Sequence, residues 1–248
     1  MVLVHGFPLD HTIWEPVVPL LKSHARLILP DLRGHGRSPA PAGIYDMRMI
    51  ADDILALFDS LELERATLVG HSMGGYAALA FARAYPSRLS GLGFVSSHAA
   101  ADNLEQRANR LKLARKVARV GVGFLAKDMA KKLTCIPEMV APLQELMVKT
   151  SKEGVIGSLK GMADRVDSTE FLNAIDVPTV VIAGTEDPII PLERSQTMVQ
   201  LLGRAWLVEV PGAAHMPMME APEVVAAALR ELLHAESGYQ PGEHNGLH

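Results

Sequence analysis

Short apolar runs alternate along the chain with longer stretches whose apolar positions recur at helical spacing. The apolar runs are nearly continuous, which is typical of strands buried on both faces of a parallel sheet. The predicted strands span 2–4, 26–29, 66–69, 89–95, 179–183 and 205–210. The predicted helices between and after them span 14–23, 47–61, 73–85, 192–202 and 222–234. This alternation predicts a doubly wound α/β fold with a mostly parallel sheet and helices on both faces.

One long stretch, 98–172, interrupts the alternation of strands and helices, because it contains no convincing strand. It predicts helices only, over 103–120, 124–133, 138–149 and 155–163. We therefore expect a core domain in two parts, 1–97 and 173–235, with a helical cap, 98–172, inserted between them. The remaining residues, 236–248, are polar and contain glycine and proline, so we expect a flexible tail.

Composition is that of a soluble globular protein, with 48% hydrophobic and 21% charged residues and a net charge of −4. This charge gives no global attraction to nucleic acid. The single cysteine, Cys135, excludes an intramolecular disulfide. No apolar run approaches the roughly 20 residues that span a membrane, and the N-terminal residues lack a signal-peptide pattern. We expect a cytoplasmic protein without stable membrane association.

The strongest chemical signal is a serine inside a glycine-rich turn, Gly70-His71-Ser72-Met73-Gly74-Gly75. A predicted strand precedes the turn and a predicted helix follows it, which is the context of a G-x-S-x-G nucleophile elbow. Such a turn exposes the serine hydroxyl at the carboxyl edge of the sheet, where the helix N-terminus favours developing negative charge. Ser72 is the predicted nucleophile, and the alternative is a glycine-rich turn with a capping serine.

A serine hydroxyl needs a base, and in this architecture an acid and then a histidine follow it along the chain. His215 follows the predicted strand 205–210 within a short loop, so it is the predicted base. Two acids, Glu186 and Asp187, follow the strand 179–183 and compete for the third role. We favour Asp187, because the proline after it biases its backbone away from the helical region.

The oxyanion hole requires two backbone donors. We expect them to be the amides of Met73, directly after the nucleophile, and Phe7, in the loop after the first strand. His5 in that loop is interpreted as a structural residue, and no histidine–carboxylate cluster indicates a metal site. The predicted substrate-binding residues are Gly6, Trp14 and Met216.

Together these residues resemble the α/β-hydrolase fold family over about residues 1–235. Five motifs match in order: His5-Gly6-Phe7-Pro8 with Trp14 downstream, Asp31 to Ser38, the Ser72 elbow, Gly184-Thr185-Glu186-Asp187, and Gly212-Ala213-Ala214-His215. Within the family the chain is most similar to small-cap carboxylesterases, enol-lactonase-like proteins and cofactor-free haloperoxidase-like esterases. Members usually have two strands before the His-Gly loop, so we expect this sheet to lack that N-terminal pair.

The resemblance and the residues together predict a serine esterase acting on small to medium carboxylic esters, without cofactor or metal. The partner would be a small-molecule ester, and the protein a monomer or homodimer. Lactone opening, thioester cleavage or perhydrolysis on the same triad remain alternatives. A ligand-sensing protein on a hydrolase scaffold is a further one.

Overall fold

The computed structural model describes residues 1–236, and its centre is a parallel sheet of five strands in the order β1-β2-β3-β4-β5. One row of paired residues, Leu3, Val69, Gly93, Val180 and Trp206, crosses all five strands. Because every strand runs the same way, all the carboxyl ends meet at one edge of the sheet. The strands are β1 (Val2–Val4), β2 (Ala66–His71), β3 (Leu89–Val95), β4 (Thr179–Gly184) and β5 (Ala205–Val210).

The strand predicted at 26–29 does not form; the segment makes only an isolated parallel bridge, between Ile28 and Val2. The Ile28 amide donates to the carbonyl of Met1, and the Leu3 amide donates to the carbonyl of Ile28. Pro30, which has no amide hydrogen, follows two residues later and ends the possible pairing. The bridge lies on one side of β1 and β2 lies on the other. The chain therefore crosses from one side of β1 to the other between Ile28 and the start of β2.

Helices cover both faces of the sheet, as a doubly wound arrangement requires. One face packs against the second, third and eighth helices, and the other against the first, ninth and tenth. The helices of the core are α1 (Val18–Leu21), α2 (Met47–Ser60), α3 (Met73–Ala84), α8 (Leu192–Leu201), α9 (Pro217–Glu220) and α10 (Pro222–Glu236). The predicted α/β fold class is confirmed.

Four α-helices and, after them, a 3₁₀ helix (Glu170–Ala174) lie between β3 and β4 in the described chain, mostly within the stretch predicted to lack strands. The first packs against the fourth and the second against the third. A capping box between Asn103 and Gln106 begins the first of them, and Asp102 joins its base to Arg110 and Arg165 through two ion pairs. They are α4 (Leu104–Val120), α5 (Gly123–Leu133), α6 (Pro137–Lys149) and α7 (Lys152–Ala163).

The helix predicted at 14–23 differs from the observed structure. A 3₁₀ helix, His11–Val17, runs directly into α1, which ends at Leu21. The Asp10 side chain caps the 3₁₀ helix by accepting from the amide of Thr12, which moves its start earlier. Pro16 inside the segment removes a donor and prevents one continuous α-helix.

Two further sequence predictions concern the chain outside the sheet. Of the predicted tail 236–248, residues 237–248 lie outside the described residues. Within residues 1–236, no helix has the length and apolarity needed to cross a membrane.

Candidate active site

Ser72 occupies a strained turn between the end of β2 and the start of α3. Its φ of 51° and ψ of −113° lie in a region that residues with a side chain rarely adopt. The turn is held by two hydrogen bonds of 2.9 Å: the Ser72 amide donates to the carbonyl of Val95, and the Ser97 hydroxyl donates to the carbonyl of Ser72. A side chain on Gly70 would collide with the backbone of Gly74, so this tightness requires glycine. The turn places a half-buried serine at the carboxyl edge of the sheet.

Asp187 and His215 form a buried pair in the loops after β4 and β5. His215 Nδ1 donates to Asp187 Oδ2 over 2.7 Å, and each side chain is 1% exposed. Asp187 Oδ1 accepts from the amides of Ile189 at 2.8 Å and Ile190 at 3.0 Å. Burial raises the pKa of Asp187, but the hydrogen bond and charge of His215 and the two amides outweigh it and lower the pKa below its ordinary value. The acid is therefore a carboxylate that holds the hydrogen of His215 on Nδ1.

The competing acid, Glu186, points elsewhere. It is exposed, and among residues 1–236 its carboxylate accepts from the hydroxyl of its neighbour Thr185 alone, at 3.4 Å. The structure thus brings Asp187, and not Glu186, to the predicted base.

His71 joins the His215 loop to the Ser72 turn. Its Nε2 donates to the carbonyl of His215 over 2.9 Å, and the two rings lie 4.9 Å apart. Burial, and then the neighbouring His215, lower the pKa of His71 to about 3, so this ring is neutral at physiological pH. In the part of the chain that the structure describes, the Ser72 hydroxyl has no hydrogen-bond partner in the protein.

The loop after β1 packs directly on the same turn. A Cβ on Gly6 would lie 2.5 Å from His71 Nδ1, so the backbone approaches closely here. Phe7 and Met73, the two predicted oxyanion donors, are both buried. Over residues 1–236 neither of their amides donates to a carbonyl in the turns and loops, and their role as oxyanion donors stays a prediction.

His5 has the structural environment that the sequence analysis favoured. Its Nε2 accepts from the amide of Leu32, and its Nδ1 donates to the carbonyl of Gly6, both over 2.9 Å. Burial lowers its pKa to about 4. Because both nitrogens are already engaged, the ring holds the loop after β1 in place and offers no free ligand atom.

Trp14 and Met216, two of the predicted substrate-binding residues, are fully buried in the core beneath α10. In this structure they contact core side chains, and their role in substrate binding stays a prediction. The third, Gly6, lies against the Ser72 turn as described above.

A group absent from the sequence predictions is Asp10, His11 and Asp31, whose ligand atoms lie within 4.8 Å of one another. Asp10 already accepts from Thr12, and Asp31 already accepts from both His11 and the amide of Arg37. These hydrogen bonds account for the cluster as a loop-stabilising network.

Sequence reasoning also missed the residues that hold the site in place, namely His71, Ser97 and Glu220. The Glu220 carboxylate accepts from the amide of Ala214, directly before His215, at 2.7 Å. His71 lies inside the Ser72 motif, but the motif does not indicate its bond to His215, and no local motif marks Ser97 or Glu220.

The site and the fold agree with what the family comparison finds. The chain belongs to the alpha/beta hydrolase fold family, whose sequence model matches residues 1–222. Proteins of known structure that are similar to this chain include a thermophilic esterase from Thermogutta terrifontis, whose structure contains bound malate. It is 40% identical, covering 95% of this chain and 89% of the esterase with a TM-score of 0.92.

Two other relatives are named for activities other than that of an esterase. The enol-lactonase from Burkholderia xenovorans LB400 is 28% identical over 94% of this chain and 90% of that one, with a TM-score of 0.87. The dihydrolipoyllysine-residue acetyltransferase component of an acetoin cleaving system from Pseudomonas putida is 32% identical over 91% of this chain. The match spans only 60% of that longer protein. Fold, family and relatives identify this chain as an α/β-hydrolase-fold hydrolase.

Proposed function

We propose that the protein is a serine carboxylesterase that cleaves small to medium carboxylic esters through an acyl-enzyme. The observation that carries the proposal is the strained Ser72 turn beside the buried His215–Asp187 pair, with a 2.7 Å hydrogen bond between Nδ1 and Oδ2. The 40% identity to a known esterase supports the ester as substrate class.

The proposed acylation step uses these groups in fixed roles. Ser72 Oγ attacks the ester carbonyl carbon while its proton passes to His215 Nε2. Asp187 keeps the other imidazole hydrogen on Nδ1 and stabilises the cation that forms. The amides of Phe7 and Met73 hold the negative oxygen, and the N-terminus of α3 adds a favourable dipole.

The second half of the reaction returns the enzyme to its starting state. The bond from the carbonyl carbon to the leaving oxygen breaks, and His215 gives its proton to the departing alkoxide. A water molecule then attacks the acyl-serine carbonyl carbon as His215 takes its proton. The bond from this carbon to Ser72 Oγ breaks, His215 gives the proton to Ser72 Oγ, and the acid leaves. No step requires a group beyond the chain and water.

The test measures initial rates on p-nitrophenyl esters from acetate to palmitate. Ser72→Ala should lower kcat/KM by at least about 10⁴-fold, because it removes the nucleophile. Its melting temperature should stay close to that of the parent protein. The control is Ser60→Ala, which removes an exposed hydroxyl at the end of α2 that donates to the carbonyl of Leu57. Full activity in Ser72→Ala would refute the assignment.

Lactone opening is the second candidate, and the enol-lactonase relative favours it. In that reaction the leaving alkoxide stays attached to the acyl group, but the roles of the residues are unchanged. Comparing kcat/KM for five- and six-membered lactones with that for matched linear esters distinguishes the two. A Ser72-dependent preference for lactones would replace esterase with lactonase.

A further inference from the structure

The position of His215 depends on more than its bond to Asp187. The imidazole can reach Ser72 only if the backbone of its own loop is held in place. The amide of His215 donates to the carbonyl of Leu133, at the end of α5, over 3.0 Å. The preceding amide, of Ala214, donates to Glu220 Oε2 over 2.7 Å. The loop is thus fixed by a cap helix on one side and by one carboxylate on the other.

The other oxygen of the same carboxylate binds the cap. Glu220 Oε1 accepts from the hydroxyl of Thr134 at 2.5 Å and from the amide of Cys135 at 2.8 Å. Thr134 and Cys135 directly follow Leu133, in the short link between α5 and α6. The last residue of α5 and the first two residues of this link therefore hold both the His215 amide and the carboxylate that fixes Ala214.

The position and the charge of Glu220 suit it to hold the His215 loop and the cap link together. It ends the short helix α9, five residues after His215, and it is half-buried. It forms no ion pair within residues 1–236, so its charge is satisfied by these three donors. Hydrogen bonds to a charged acceptor are about twice as strong as neutral ones, and a closed network of them resists displacement.

We infer that Glu220 is a positioning residue for His215, which couples the link between α5 and α6 to the proposed catalytic histidine. The inference rests on the proposed function. A shift of the cap link would move Glu220 and Leu133 together, and His215 with them.

The test compares Glu220→Gln with Glu223→Gln, on p-nitrophenyl butyrate. Glutamine keeps one acceptor oxygen and places an NH₂ against N–H or O–H donors, so part of the network is lost. We expect kcat to fall at least about tenfold while KM changes by less than about twofold. Glu223 is exposed in the first turn of α10, so its variant removes the same charge without the hydrogen bonds and should behave as the parent.

A second pair of variants keeps the test valid if Glu220→Gln fails to fold. Thr134→Val removes the hydroxyl donor and should lower kcat by a smaller factor. Thr134→Ser retains the hydroxyl and should restore kcat. In the variants with a lowered kcat, the rate at which a fluorophosphonate labels Ser72 should fall by a similar factor, because labelling also needs His215 in position.

A double variant distinguishes the positioning of His215 from a general stabilisation of the fold. In a His215→Ala background, Glu220→Gln should cause no further loss of the residual activity, because there is no imidazole left to place. An equal proportional loss in that background, or a kcat for Glu220→Gln equal to that of Glu223→Gln, would overturn the inference. Undiminished activity in Ser72→Ala and His215→Ala would instead overturn the proposed function.

Discussion

The two oxygens of Asp187 have different donors, and this division makes the residue sensitive to a change of one atom. Oδ1 accepts from the amides of Ile189 and Ile190, while Oδ2 accepts from His215 Nδ1. In Asp187→Asn the remaining oxygen must stay with the two amides, so the new NH₂ faces His215. The imidazole then carries its hydrogen on Nε2 and cannot take the proton of Ser72.

We therefore expect Asp187→Asn to lower kcat by about 10³–10⁴-fold with little change in KM. The matched control is Glu186→Gln, an exposed neighbour that should retain parental activity. Steady-state kinetics on one ester measures both variants. If Glu186→Gln lost more activity than Asp187→Asn, the assignment of the acid would be wrong.

The sequence alone was enough to propose the triad of Ser72, Asp187 and His215, but not the residues that hold these three in place. Ser72 lies in a local motif, and Asp187 and His215 follow from the order of strands, since parallel strands bring their carboxyl ends together. Glu220 carries no such signal, because its partners Thr134 and Cys135 lie 86 and 85 residues away in sequence.

At the scale of elements, helix α7 shows why its bounds were predicted less well than its existence. The predicted start, residue 155, lies three residues after the observed one, because the Ser151 side chain caps the helix by accepting from the amide of Gly154 at 2.9 Å. Three glycines lower the helical propensity of this segment. Their reason is contact: a Cβ on Gly154 would collide with the carbonyl of Gly34, and one on Gly161 with that of Tyr45.

This contact leads to a prediction for the joint between α7 and the core. Gly161→Ala should lower the free energy of unfolding by about 1–3 kcal/mol, because the added methyl must push the helix off the backbone of Tyr45. Gly123→Ala is the control, since its Cβ at the start of α5 would meet nothing within 4 Å. That change should leave stability unaltered or raise it by up to about 1 kcal/mol. Urea unfolding of both variants measures the difference, and equal midpoints would contradict it.

At the scale of the whole molecule, three buried histidines and the half-buried His98 lie at the carboxyl edge of the sheet or in the loops beside it. Burial is the main cause that lowers their pKa values, to about 4 for His5 and His98 and about 3 for His35 and His71. Positive neighbours add to the effect at His98, where Arg165 and Arg194 lie near. All four rings are therefore neutral in the folded protein, where the loops around Ser72 pack against them.

The unfolded chain binds protons at these histidines near the ordinary pKa of 6.5, whereas the folded protein does not. Stability is therefore complete above pH 6.5 and falls as the pH drops toward 4, by up to about 1.4 kcal/mol per pH unit for each histidine. Four together give a slope of about 5 kcal/mol per pH unit near pH 5, enough to unfold a typical domain. The lowered pKa of Asp187 contributes later, because its stabilisation is lost only below the ordinary pKa of 3.8.

We expect cooperative acid unfolding with a midpoint between about pH 4 and pH 5.5, followed by circular dichroism and by the free energy of urea unfolding at each pH. His35→Gln should reduce the slope near pH 5 by about a quarter, because one of four coupled protonations disappears while the amide can still donate to the carbonyl of Arg33. His24→Gln, at an exposed position, should leave the slope unchanged.

A free energy of unfolding that stays constant down to pH 4.5 would show that the four rings do not limit stability. A slope equal in His35→Gln and the parent protein would exclude His35 from the set. If the slope falls as expected, the same neutral rings that pack the loops around Ser72 also set the lower pH limit of the whole fold.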